Sequence, residues 1–284
     1  MSAPSRDLRY VTVDGGRVRV SVTPDEGLGA GAGSGPATAP PLLLITGLGA
    51  GLELAGPLEA QLNRRGVRTI SYDAPGVGES TPYIWPRRMS GVARTAEHLL
   101  DALGVDTVDV LGVSLGGGVA QQLAHQAPDR VRRLVLAATG PGMAGVPGSP
   151  LVLWRLTSPR RYHQPDYYRR IAGTLYGGIA RTDPDALLHG SLARFTHRPT
   201  AWGYASQLYS IAGWTSVTWL GRLRQPTLVL AGDDDPIVPL ANGRILARMI
   251  TDTRLHIVRG GGHLFLLEQP SEVAGIITDF LHHE

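Results

Sequence analysis

Residues 107–126 read Thr107-Val-Asp-Val-Leu-Gly112-Val-Ser114-Leu-Gly116-Gly-Gly-Val-Ala-Gln-Gln-Leu-Ala-His-Gln126. The β-branched, apolar run from Thr107 to Val113 predicts a buried strand, and Leu115 to Gln126 predicts a helix. Between them, Gly112-Val113-Ser114-Leu115-Gly116 is a G-x-S-x-G pattern in the strand–turn–helix setting that gives the pattern meaning. A serine on so tight a turn is strained, so the residues two before and two after it must be small, as Gly112 and Gly116 are. Gly117 and Gly118 are expected to let the helix pack close to the sheet. The hydroxyl of Ser114 then projects at the carboxyl end of the strands, where open α/β sheets place their ligands.

Outward from this turn the chain alternates. Strands are predicted at Leu42–Thr46, Arg68–Tyr72, Val131–Ala137, Thr227–Ala231 and Arg254–Val258. Helices are predicted at Leu54–Arg65, Ser90–Leu103, Leu240–Ile250 and Ser271–His282. Such alternation points to a parallel sheet covered on both faces. Two short alternating segments, Arg9–Val13 and Arg17–Thr23, flank Asp14-Gly15-Gly16 and read as a hairpin. Residues 24–41, rich in Gly, Ala and Pro, read as a flexible surface loop, and Asp73–Ser80 as a tight one. The alternation breaks at Gly140. Residues 140–220 contain no convincing buried strand but hold four of the five tryptophans, which are expected to line an apolar pocket, to pack as a small core, or both. One α/β domain, residues 1–139 and 221–284, is thus predicted to be interrupted by an aromatic-rich lid at 140–220.

A serine is inert near neutral pH without a base that a carboxylate holds in place. On this scaffold the chain order is serine, acid, histidine. The loop after the Thr227–Ala231 strand carries Asp233-Asp234-Asp235-Pro236, and the loop after the last strand carries Gly260-Gly261-Gly262-His263. His263 is favoured as base, because three glycines free its loop to bring the ring to Ser114, whereas His256 lies inside an apolar strand. Asp235 is favoured as acid because the following proline restrains it to extended geometry. Asp233 and Asp234 stay open as alternatives, with turn capping as their other role. An oxyanion hole needs two backbone N–H groups: Leu115, directly after the serine, and Leu48, in Thr46-Gly47-Leu48-Gly49.

Composition removes other classes. With no cysteine there is neither a disulfide nor a thiolate metal site or nucleophile, and with no lysine there is no Schiff base and no P-loop. No cofactor and no metal is expected. The net charge of +3 and the scattered arginines argue against nucleic-acid binding. No apolar run approaches the roughly 20 residues of a bilayer span, and the first residues lack a secretory h-region, so the cytosol is the expected location.

Together these residues resemble the α/β-hydrolase superfamily from about Tyr10 to Leu281. The likeness is closer within the insertion. Val152–Tyr162, Thr174–Gly178 and Ala212–Ser216, with Gln225–Pro236 and Gly262–Leu266, resemble intracellular medium-chain-length polyhydroxyalkanoate depolymerases. The resemblance implies a mostly parallel eight-stranded sheet with helices on both faces and an inserted, mainly helical lid. It further implies a serine esterase cleaving medium-chain poly(3-hydroxyalkanoate) at the surface of storage granules, with nucleophile Ser114, acid Asp235 and base His263. Three features depart from the family pattern: Leu115 where an aromatic often follows the serine, an oxyanion loop that begins Thr46-Gly47 without a histidine, and a longer loop at 24–41. A carboxylesterase or lipase-like hydrolase of smaller esters is the alternative enzyme, and a non-catalytic granule-binding protein the alternative of another class. Dehalogenase and epoxide-hydrolase chemistry would need an aspartate in place of Ser114.

Overall fold

The structure is a computed structural model that describes residues 6–23, 39–185 and 193–282. Most of the loop expected at 24–41 lies outside the described residues. Eight strands form one sheet: β1 (Asp7–Val13), β2 (Gly16–Val22), β3 (Leu42–Ile45), β4 (Thr69–Tyr72), β5 (Val108–Val113), β6 (Val131–Ala137), β7 (Thr227–Gly232) and β8 (Thr253–Val258). Their spatial order is β1-β2-β4-β3-β5-β6-β7-β8. The hairpin β1–β2 is antiparallel and β2 joins β4 antiparallel, whereas β4, β3 and β5 to β8 run parallel.

Parallel strands need crossover helices, and these cover both faces. On one face α1 (Leu52–Arg64), the short α9 (Phe265–Glu268) and α10 (Pro270–His282) bury Leu58, Leu62, Phe265 and Ile277. On the other, α2 (Met89–Leu103), α3 (Leu115–Gln126) and α8 (Leu240–Met249) bury Met89, Leu99, Leu123 and Leu246. The four residues of β3 are buried, as a strand covered on both sides requires.

Between β6 and β7 the described chain is helical: α4 (Pro150–Leu156), α5 (Pro165–Tyr176), α6 (Ala193–Thr196) and α7 (Ala201–Ile211). Ser149 and Thr200 cap α4 and α7 by accepting bonds from Val152 and Gly203 N–H. Tyr168, Ile171, Leu175 and Tyr176 form a small core of their own with Val152. Of the two roles expected for the tryptophans, the pocket lining is not found. None lines the cavity described below: Trp154 and Trp202 are exposed, and Trp214 and Trp219 pack against the core with α2 and α3. Their polar N–H edge explains part of this, since Trp214 Nε1 donates to Gln122 and Trp202 Nε1 to the Tyr83 carbonyl.

Candidate active site

Ser114 sits between β5 and α3 with φ 54° and ψ −117°, a strained conformation for a residue with a side chain. The packing shows why its neighbours are glycine. A Cβ on Gly112 would lie 2.5 Å from the Gly116 carbonyl oxygen, and one on Gly116 would lie 2.1 Å from the Ile45 carbonyl oxygen. Gly117 lies against Thr139, just beyond β6, but Gly118 faces Met89 of α2 and Trp214 instead of the sheet.

Three loops at the carboxyl ends of β5, β7 and β8 converge here. His263 Nε2 is 3.0 Å from Ser114 Oγ, and its Nδ1 is 2.7 Å from Asp235 Oδ2. The other oxygen of Asp235 accepts N–H bonds from Ile237 at 2.8 Å and Val238 at 2.9 Å, which fixes the carboxylate. Its two neighbours have separate tasks. Asp233 accepts from Gly260 N–H at 2.6 Å, bracing the glycine loop, and Asp234 accepts from Gly178 N–H and from the Arg181 guanidinium. The Arg181 bond holds the Asp234 carboxyl below its ordinary range. The His263 backbone N–H donates to the Tyr176 carbonyl at 2.6 Å, so α5 helps seat the His263 loop. Other histidines are engaged elsewhere: His98 contacts Asp14, His125 stacks on Trp219, His197 lies beside Glu79, and His256 pairs with Leu230 in the sheet.

Leu115 opens α3, so its N–H belongs to the first turn, which has no intrahelical acceptor. Leu48 lies on the loop after β3 and lines the same cavity as Ser114 and His263. The peptide joining Leu48 to Gly49 is held on both sides by the segment between β6 and β7. Tyr162 Oη donates to the Leu48 carbonyl at 2.6 Å, and Gly49 N–H donates to Gln207 Oε1 at 2.7 Å. Gly49 (φ +73°) leaves no room for a Cβ, which would meet Tyr162 at 2.7 Å. Neither Tyr162 nor Gln207 is singled out by the sequence pattern, because each meets its partner more than a hundred residues away.

The cavity measures about 130 Å³ and is apolar, lined among others by Leu54, Leu58, Leu111, Leu156 and Leu267, with Tyr162 and Tyr176 contributing the aromatic rings. Among the described residues no group of three or more histidines and carboxylates is placed to hold a metal ion. Nor is any helix long and apolar enough to cross a membrane.

A strained serine at a strand–helix turn, hydrogen-bonded to a histidine on a later loop of the same sheet, defines the hydrolase class of α/β proteins. Residues 40–270 match the family model of the α/β hydrolase fold, and the chain belongs to that family. It is an ester hydrolase, and the comparison that narrows it is with the poly(3-hydroxyalkanoate) depolymerase of Ectopseudomonas oleovorans. The two are 45% identical over 98% of this chain and 93% of the relative. The pimeloyl-[acyl-carrier protein] methyl ester esterase of Aromatoleum aromaticum is 31% identical over 84% of this chain and 97% of that one. Among solved structures, the enol-lactonase of Burkholderia xenovorans LB400 superposes with a TM-score of 0.78 over 96% of this chain and 99% of that one, at 23% identity.

Proposed function

We propose that this enzyme hydrolyses medium-chain poly(3-hydroxyalkanoate) through a Ser114–His263–Asp235 triad. The observation that carries the reading is the continuous hydrogen-bonded line from Ser114 Oγ through His263 to Asp235 at an apolar cavity. The depolymerase relative supplies the substrate class. His263 Nε2 takes the proton of Ser114, and Oγ attacks an ester carbonyl of the polymer. The Leu48 and Leu115 N–H groups receive the developing oxyanion. The acyl–oxygen bond breaks, His263 returns the proton to the departing alcohol, and a 3-hydroxyacyl ester remains on Ser114. Water, deprotonated by His263, then releases the acid. Asp235 orients the imidazole and stabilises its charged form.

Residues 140–220 act in this proposal as a cap on a core of residues 1–139 and 221–284. Each methylene of an alkyl side chain buried in the cavity contributes about 0.8 kcal/mol, which favours medium-length chains. Docking on an insoluble polyester granule is supported by large apolar side chains left in water, namely Ile84, Trp85, Met143 and Trp154, each at least 70% exposed. The test is clearing of emulsified medium-chain polymer beside p-nitrophenyl esters of graded length, with Ser114→Ala as control. Clearing that disappears in the variant is the expected result. Ester hydrolysis without clearing would reassign the enzyme to small esters, and polymer binding without either activity would make it a granule-binding protein.

A further inference from the structure

Arg161 is out of place beside an apolar cavity. It is 3% exposed and lines the same cavity as Ser114 and His263. Its neighbours are neutral. Nη1 donates to Tyr204 Oη at 2.6 Å and to the Ser158 carbonyl at 3.4 Å, and Nη2 reaches the Leu48 carbonyl at 3.4 Å. The rings of Tyr162 and Tyr204 lie 4.8 Å and 5.4 Å from the guanidinium carbon. Among the described residues no carboxylate pairs with it, and Nε is buried without a hydrogen-bond partner. The other buried arginine among the described residues is treated differently, since Arg19 is matched by Glu53 and Asp73.

A guanidinium stays charged at any accessible pH, and withdrawing it from water is costly unless an anion and filled hydrogen bonds compensate. Hydroxyl, carbonyl and ring faces offset part of that cost. A planar carboxylate entering the cavity would complete it, because it matches the guanidinium fork in shape and charge. The substrate class contains one carboxylate in the right place. In a poly(3-hydroxyacid) the free carboxyl end sits two carbons from the oxygen of the last ester, so cleaving that ester brings the carboxylate into the cavity that holds Ser114.

We propose that Arg161 binds the terminal carboxylate of a 3-hydroxyacid chain, so that the enzyme cuts the last ester and releases monomers from the carboxyl end. This rests on the reading of Ser114 as nucleophile and of 3-hydroxyacyl esters as substrates. The Ser114 Oγ–acyl bond forms as the acyl–oxygen bond breaks. The departing oxygen takes the proton from His263, and the 3-hydroxyacid leaves Arg161 with its carboxylate still ionised.

The test compares kcat/KM for the dimeric ester of 3-hydroxyoctanoate, with its carboxyl group free, against the methyl ester of the same dimer. Wild type is expected to prefer the free acid by about tenfold or more, the worth of one charge-assisted hydrogen bond. The ratio should fall to about one in Arg161→Gln and lie between in Arg161→Lys. Because Arg161 also touches the Leu48 carbonyl, the variants slow both substrates, and the ratio cancels that effect. A wild-type ratio near one, or a ratio that survives in Arg161→Gln, overturns the proposal. A second measurement needs no Arg161 variant: calorimetric binding of 3-hydroxyoctanoate and 3-hydroxyoctanamide to the Ser114→Ala protein. Tighter binding of the acid, by about tenfold or more, supports the subsite. Equal affinity, or binding of neither, overturns it. If Ser114→Ala still hydrolysed the dimers, the nucleophile assignment would fall while the carboxylate measurement stood on its own.

Discussion

At the Ser114 turn, backbone packs on backbone: Gly116 lies against the Ile45 carbonyl and Gly112 against α3, so no side chain larger than hydrogen fits. Across the cavity, the segment between β6 and β7 holds the Leu48–Gly49 peptide through side chains, the Tyr162 hydroxyl on one side and the Gln207 amide on the other. The first arrangement is rigid because it is close-packed and strained. The second is set by side-chain hydrogen bonds, from Tyr162 and Arg161 to the Leu48 carbonyl and from Gly49 N–H to Gln207, of which each neutral one is worth about 0.5–1.5 kcal/mol. The contrast separates a part of the site that fixes the Ser114 oxygen from a part that a change in the segment between β6 and β7 can retune.

The contrast is sharpest at Ser114, His263 and Asp235, the proposed triad. Ser114→Ala and His263→Ala should each lower p-nitrophenyl octanoate turnover by about 10⁴-fold or more, with melting temperature little changed. Asp235→Asn should cost about 10⁴-fold in kcat, whereas Asp234→Asn and Asp233→Asn, which bind a guanidinium and a backbone N–H, should cost far less. Near-normal turnover in Asp235→Asn would move the acid to one of the other two.

Gly116→Ala tests the packed side of the comparison. A Cβ 2.1 Å from a carbonyl oxygen forces the turn to shift, so stability should fall by about 1–3 kcal/mol in thermal or urea unfolding, with activity lost alongside. An unchanged unfolding midpoint would show that the turn yields more easily than its packing implies. On the other side, Tyr162→Phe and Gln207→Leu should each reduce kcat by roughly tenfold or less and leave KM nearly unchanged, because each removes one hydrogen bond that holds the Leu48–Gly49 peptide next to the Leu48 N–H. A rise in KM alone would make them substrate contacts.

The smallest effect is a pH dependence where the segment between β6 and β7 meets the His263 loop. Burial pushes Glu268 from its ordinary 4.5 up to about 7, helped by the nearby Asp234 charge and opposed by N–H bonds from Ile179 and Gly262. Between those two values the folded protein holds a proton that the unfolded chain has released, so stability falls as pH rises through the window. Glu268→Gln, neutral throughout, should flatten that slope by about 1 kcal/mol across pH 4.5–7 in chemical unfolding, allowing for partial solvent screening. An identical slope in the variant would assign it to other groups.

Much of this protein is legible in local sequence. Val131–Ala137 is a strand with the bounds its apolar pattern predicts, and the hairpin across Asp14-Gly15 follows from turn chemistry. The elbow glycines are readable because the residues that exclude a Cβ lie within the same turn or on the strand beside it. Asp235 stands out among three aspartates through Pro236, a neighbour in the chain, and its carboxylate is the one that meets His263. What the sequence leaves open is whatever depends on contacts between distant segments. By composition the tryptophans fit a pocket or a core; the structure spends them on the surface and on the core with α2 and α3, while tyrosines and leucines line the cavity. Arg161 is one scattered arginine among many until the fold buries it beside Tyr204 and the Leu48 carbonyl. Periodicity and turn chemistry act over a few residues, and they determine the sheet, the elbow and the order of the reactive groups. Only the tertiary structure decides which side chains a 113-residue separation brings together, because that depends on how the helices between β6 and β7 seat on the sheet.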